Sequence, residues 1–221
     1  MKNSAKDRVS QFLSEREKKI LKISLISGVV IVILVAGIYT YINHANKMAY
    51  SKYLEAKDLY VQAEAKEEGE KTEELKRATV LFKEVIANKL FLGSKEEAFI
   101  YLINCLYELG DYDEDVKVIQ NFEKRYPRSY FSPWMRLKMA LIYEQMGKYK
   151  EAIDNYRIIR EKYAQSSIAP EALLGEARCQ EALGNKGEAI KIYQNLVSRY
   201  PLSYQAKVAE AKLQDFSQKR G

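Results

Sequence analysis

The sequence predicts an all-α protein: one apolar helix able to cross a bilayer, then a solenoid of about four helical hairpins closed by a C-terminal capping helix. Three observations carry this. First, a spacing of 37 residues recurs, kept by Gly110, Gly147 and Gly184 and by the pairs Arg125-Tyr126, Lys162-Tyr163 and Arg199-Tyr200. Ala152 and Ala189 share that interval, as does the ladder Phe82, Ile119, Tyr156, Tyr193, and Ala78 lies two periods before Ala152. A period in this range, with Gly between two apolar-patterned stretches, marks stacked helical hairpins, which serve as binding surfaces more often than as catalysts. Second, Ile23 to Asn43 contains no charged residue. Third, Pro127, Pro133, Pro170 and Pro201 all fall in or beside the links expected between hairpins. None interrupts a helix interior, where it would remove a hydrogen bond.

The first element, residues 1–22, is a basic tail. Its Lys2, Lys6, Arg8, Arg16, Lys18, Lys19 and Lys22 stand against Asp7, Glu15 and Glu17, so it holds four of the chain's six net positive charges. Beyond it the charges are well mixed, without the basic stripe that phosphate binding needs, so nucleic acid is not an expected partner. Val9, Phe12, Leu13 and Ile20 recur at helical spacing within the tail, and a helix lying on the membrane surface and a solvated tail both fit them.

Residues 23–43 follow as a transmembrane helix, contacting the lipid bilayer. About 20 apolar residues span a bilayer core, whereas the apolar run of a cleaved signal is about 7–15 residues long. The run ends in Tyr39-Thr40-Tyr41-Ile42, an interfacial aromatic belt, and no cysteine lies near it to make a lipoprotein signal. Only Lys47, Lys52 and Lys57 are basic in the next 20 residues. The positive-inside rule therefore puts the N-terminus in the cytoplasm and the repeats across the membrane.

Residues 44–94 read as a linker helix and a degenerate first hairpin, in which Ala78 and Phe82 keep phase but the turn is long and charged. Residues 95–221 read as repeats and capping helix. The periodicity predicts helices near 46–66, 73–88, 95–109, 112–125, 133–146, 149–162, 169–182, 187–199 and 204–217. Ser94…Glu97, Asp111…Glu114 and Asn185…Glu188 have capping-box spacing, and Ser132-Pro133 places a cap before a first-turn proline. Small Ala152 and Ala189 let the two helices of a hairpin approach, Tyr156 and Tyr193 fill the space towards the next repeat, and the periodic glycines suit a turn with positive φ. Cys105 and Cys179 are two periods apart. Equivalent helices that far along a stack lie roughly 20 Å apart, and a disulfide needs Cα atoms within about 7 Å. No bridge between them is expected.

Gly-Lys-Tyr-Lys-Glu-Ala-Ile-Asp-Asn-Tyr (147–156) resembles the core of the tetratricopeptide repeat, a Gly-x-Tyr-x-x-Ala with an aromatic four residues on. Residues 184–193 match with Lys186 in place of the tyrosine, and residues 110–119 depart further, with Asp115 where Ala is expected. The three residues beyond the family's usual 34 fall at the hairpin exits Arg-Tyr-Pro-Arg-Ser (125–129), Lys-Tyr-Ala-Gln-Ser (162–166) and Arg-Tyr-Pro-Leu-Ser (199–203). That lengthened form is similar to the repeats of bacterial envelope proteins of the BamD and CpoB families. The layout of short tail, single span, helical linker and repeats resembles the YfgM family of ancillary SecYEG translocon subunits.

The resemblance implies a partner-binding groove lined by the first helix of each hairpin. Transferring the phase gives Ile100, Asn104, Tyr107 and Glu108, then Trp134, Leu137, Leu141 and Glu144, then Glu171, Leu174, Arg178 and Glu181. Trp134 and Tyr107 are the natural anchors, since aromatics dominate binding hot spots. Basic residues do not cluster there into a carboxylate clamp. Catalytic and metal sites and cofactors are not expected. The lone His44 has no cysteine beside it, and no Gly-rich phosphate loop, Gly-x-Ser-x-Gly elbow or His-Glu-x-x-His motif occurs. The expectation is a non-enzymatic, single-pass inner-membrane protein whose periplasmic repeats dock other envelope proteins: translocon, chaperone or assembly machinery. A self-associating homo-oligomeric scaffold for envelope assembly or cell division, built through the span or the helix at 46–66, stays open. So does an organelle import receptor with repeats facing the cytosol.

Overall fold

The computed structural model describes residues 15–67, 69–93 and 95–218, and among them the protein is all helix. In chain order the elements are α1 (Glu15–Glu64), α2 (Thr72–Ala87), α3 (Lys95–Glu108), α4 (Tyr112–Arg125), α5 (Ser132–Gln145), α6 (Tyr149–Lys162), α7 (Ala169–Ala182), α8 (Lys186–Arg199) and α9 (Tyr204–Gln218). Each pairs with its neighbours in sequence to form an antiparallel stack. The spans predicted from periodicity agree with these within a residue or two, except at the N-terminus. There the segments read from sequence as a span and a linker form one continuous helix, because Asn43-His44-Ala45-Asn46 holds neither Gly nor Pro to break it. Val9, Phe12 and Leu13 lie outside the described residues.

α1 has two different halves. Its apolar first half is exposed to its full extent, with Ile23, Leu25, Val32 and Val35 touching no other element. By length and composition it is able to cross a membrane. Its second half buries Ala49, Tyr53, Ala56, Leu59 and Ala63, a stripe spaced by three and four residues, against α2. Lys52 of α1, and Lys66 just past its end, pair with Glu84 and Glu74 of α2 at 2.5 and 2.7 Å. The repeat domain therefore begins packing within a few residues of the apolar run.

The 37-residue ladder is the core. Phe82, Ile119, Tyr156 and Tyr193 are fully buried, as are Ala78, Ala152 and Ala189. Gly110, Gly147 and Gly184 adopt φ of 72°, 70° and 79°, the left-handed conformation that costs other residues most. Each is followed by an N–H that reaches back five residues: Asp111 to the Leu106 carbonyl at 3.0 Å, Lys148 to Tyr143 at 2.8 Å and Asn185 to Gln180 at 2.9 Å. These are Schellman closures.

The expected capping boxes at Asp111 and Asn185 are absent. Neither side chain caps its helix, and the Asn185 amide donates instead to Gln180 Oε1 at 2.9 Å. The reason is the brevity of the turn. One residue both completes a Schellman closure and starts the next helix, which sets ψ at 61° and 55° instead of the extended value of a capping residue. Ser94 lies outside the described residues. Ser132 is already the first residue of α5, with Phe131 as cap, and Ser129 Oγ accepts the Phe131 N–H at 3.1 Å.

The longer links have one shared shape. Ser129, Ser166 and Ser203 each donate a backbone N–H to the tyrosine carbonyl three residues before, at 3.0, 2.9 and 2.9 Å. Tyr200 Oη then donates to the Ala164 carbonyl at 2.7 Å, fastening one link to the previous one. Cys105 and Cys179 sit buried in separate core clusters, and burial pushes each thiol up to about 12.

Candidate partner-binding site

The first helices of successive hairpins, α3, α5 and α7, meet in two joints of different character. Between α3 and α5 lies an open cleft of 400 Å³. α3 supplies Ile100, Ile103 and Asn104. Phe131 and the α5 residues Trp134, Met135, Leu137, Lys138 and Leu141 form the rest. Five of the residues placed in a groove by sequence, Ile100, Asn104, Trp134, Leu137 and Leu141, thus come together around one space. Trp134 remains 45% exposed. A large ring with its face half in water has further apolar area to bury, which is the chemistry of a hot-spot anchor.

One charge marks the floor of the cleft. The Lys138 ammonium sits 3.7 Å from the centroid of the Tyr107 ring, a close cation–π contact. Burial lowers the Lys138 pKa, opposed by the charges of Asp115 and Glu108. Asp115, in the first turn of α4, is fully buried, and neither carboxylate oxygen has a hydrogen-bond partner. Burial pushes its carboxyl from 3.8 up to about 8, against the pull of Lys138. Ile103, Phe131, Met135, Lys138 and Asp115 were not among the residues placed in the groove by sequence. Asp115 did carry a signal, since it stands where the repeat has alanine.

Between α5 and α7 the facing side chains are tied to one another. Arg178 donates to both carboxylate oxygens of Glu144, from Nε at 2.9 Å and from Nη2 at 3.1 Å, and reaches Glu171 at 3.5 Å. Tyr156 Oη donates to Glu144 Oε2 at 2.7 Å. Those bonds hold the Arg178 guanidinium above its ordinary range, although burial opposes them. Gln205 Nε2 donates to Glu171 at 3.0 Å. One repeat further on, Tyr193 Oη donates to Glu181, which also meets Lys212 at 3.4 Å. Glu144, Glu171, Arg178 and Glu181 are therefore occupied by one another and by the neighbouring helices. Glu108 pairs with Lys71, and Leu174 is buried. Of the twelve residues picked from sequence, five line the cleft, four form an ionic ladder, Tyr107 lies against Lys138 at the border, and Glu108 and Leu174 belong to neither group.

Comparison with known proteins fits this geometry. Residues 137–206 match the tetratricopeptide repeat family. No curated protein matches the chain in sequence. Two crystal structures of a candidate kinesin light chain from Podosopora anserina, built of nearly identical TPR-like repeats, superpose with TM-scores of 0.57 and 0.56. Both are 15% identical to this protein and cover 80% of it, over 88% and 89% of their own length. The apo form of RapI superposes at a TM-score of 0.52 and 15% identity, covering 73% of this chain and 46% of RapI. Residues 137–206 thus match the tetratricopeptide repeat family, and most of the chain shares the fold of TPR-like repeats.

Proposed function

We propose that this protein is a membrane-tethered docking module of the bacterial envelope, held in the inner membrane by residues 23–43. Its partners are other envelope proteins, with the secretion translocon or periplasmic chaperones the preferred class from the layout of the chain. The observation that carries the docking role is the α3/α5 cleft, an apolar space edged by a half-exposed tryptophan on the face that the repeat family uses for partners. An apolar side chain of a partner fills it, and a carboxylate or carbonyl beside that side chain meets Lys138. Tethering confines the search to the membrane surface and raises effective concentration, so weak contacts suffice.

A photo-crosslinking amino acid at Leu141 of the full-length protein, used in intact cells, tests this. The expected outcome is a small set of envelope proteins whose capture is lost on Trp134→Ala. Capture of cytosolic proteins alone, or capture unchanged by Trp134→Ala, would defeat it.

A further inference from the structure

The link between α2 and α3 has an unusual construction at the foot of the repeat domain. Asn88 Oδ1 accepts the Leu90 N–H at 2.9 Å, and the Phe91 N–H donates to the Asn88 carbonyl at 3.3 Å, so the chain turns sharply on leaving α2. Phe91 folds inward and is buried, its ring 6.5 Å from that of Tyr53 on α1. A side chain at Gly93 would collide with that ring, so only glycine lets the loop close over it. With Phe91 directed into the core, Leu92 is turned out and is 77% exposed. Leu92 is thus an exposed apolar side chain on a hydrogen-bonded turn.

The Leu92 N–H donates to Asn46 Oδ1 of α1 at 2.8 Å. Asn46 is three residues past Asn43, where the charge-free run ends, or about 4.5 Å along the helix axis. Helical side chains tilt towards the N-terminus, which brings the accepting oxygen nearer still to the apolar run. The headgroup zone of a bilayer is about 5–7 Å deep on each side of its hydrocarbon. Leu92 therefore lies at headgroup depth whenever residues 23–43 span the membrane. Lys47 and Lys89 are exposed at the same level, suited to lipid phosphates. Tyr130 and Leu202, in links at the same end of the later hairpins, and Tyr204, at the start of α9, are also strongly exposed.

We infer that the α2–α3 loop is a second membrane contact, in which Leu92 enters the boundary between headgroups and acyl chains while Lys47 and Lys89 meet the phosphate layer. This rests on the reading of residues 23–43 as a span. A single helix leaves the domain free to turn about the helix axis, and a contact off that axis removes this freedom. The repeat domain then presents its cleft at a fixed angle to the bilayer.

The test uses the full chain in vesicles of phosphatidylcholine and phosphatidylglycerol, with an environment-sensitive thiol probe at Leu92→Cys. Cys105 and Cys179 are buried and stay unlabelled. Val30→Cys reports on the span, and Asp113→Cys, at the opposite end of the hairpins, reports on water. The expected result is a blue-shifted probe at position 92, quenched several-fold more by shallow spin-labelled lipids than the probe at 113. Water-like emission at 92, with position 30 quenched by deep lipid labels, would overturn the contact and leave the span standing. A probe at 92 shielded from water but not quenched by lipid would also overturn it, in favour of a protein neighbour. Absence of lipid quenching at position 30 would remove the span and this inference together.

Discussion

The α3/α5 and α5/α7 joints come from the same repeat, one period apart, yet one is open and the other is locked. Four positions account for the difference. Where the tight joint has Glu144, Arg178, Tyr156 and Gly175, the open one has Tyr107, Leu141, Ile119 and Lys138 at the residues 37 earlier. Tyr156 brings a hydroxyl to Glu144, and Glu144 in turn holds Arg178. Gly175 leaves room for the Tyr156 ring, which a side chain there would strike. In the open joint the isoleucine has no hydroxyl, the acid is a tyrosine and the arginine is a leucine. Lys138 fills the glycine position and crosses to α3 only through a cation–π contact with the Tyr107 ring, with no hydrogen-bonded ion pair like that of Arg178 and Glu144. The lesson is that a solenoid makes a binding cleft by omitting the polar fastening between two repeats.

If that is right, breaking the fastening has the largest effect. Glu144→Ala leaves the Tyr156 hydroxyl buried without an acceptor and Arg178 with only Glu171. We expect a loss of about 3 kcal/mol in urea unfolding monitored by circular dichroism. Tyr107→Ala, at the equivalent place in the open joint, is expected to cost clearly less. Equal losses would mean that the ladder does not hold the joint closed. Gly175→Ala comes next. The added methyl meets a ring that is enclosed on all sides, and overpacking outweighs the better helix propensity of alanine, for a net cost of about 2 kcal/mol. Lys138→Ala, one period earlier, removes the contact with the Tyr107 ring and is expected to cost about 1 kcal/mol in the same assay.

Much of this was legible before any coordinates. The helix spans, the glycine turns and the buried Ala/Tyr ladder follow from a strict period, because every repeat solves the same packing problem and writes it at the same positions. The same reasoning names α3, α5 and α7 as the helices that would line a groove. What the period does not encode is whether a polar residue on that face is free or engaged. Glu144 and Arg178 read alike as available and as paired until the distance between adjacent repeats is known. The capping boxes at Asp111 and Asn185 misled because Asp/Asn…Glu spacing is blind to ψ, and the three-residue turn leaves no room for an extended cap. The position of Leu92 was illegible too, since it depends on Asn46, far away in sequence and inside a helix that looked like a linker.

Asp115 sharpens the comparison from the other side. The tight repeats have Ala152 and Ala189 at its position, and the open repeat carries a buried carboxyl. Its folded pKa, about 8, lies above its ordinary 3.8. The folded state therefore holds the proton more firmly than the unfolded chain, and stability falls as pH rises from about 4 to about 8. Asp115→Ala removes that loss and is expected to stabilise the protein by about 1.5 kcal/mol above pH 8, with the gain shrinking towards pH 4. Thermal unfolding at several pH values reads this directly. A gain that grows on acidification would show that Lys138 holds Asp115 as an ion pair, with its pKa depressed.

The smallest effect on stability is expected where the effect on binding is largest. Trp134 is half exposed and its ring borders the cleft, so Trp134→Ala removes little packing. A cost below about 1 kcal/mol is expected, within the range of substitutions away from the core. Intrinsic fluorescence offers a readout of the cleft in the unmutated chain, because Trp134 is its only tryptophan. Peptides with an apolar residue beside a carboxylate should shift that emission to the blue and protect it from an aqueous quencher. Lys138→Ala should weaken binding of the acidic peptides and leave their uncharged amides unaffected. A tryptophan substitution that unfolds the domain, or emission indifferent to every such peptide, would place Trp134 in the packing of the stack and return the cleft to mere spacing between repeats.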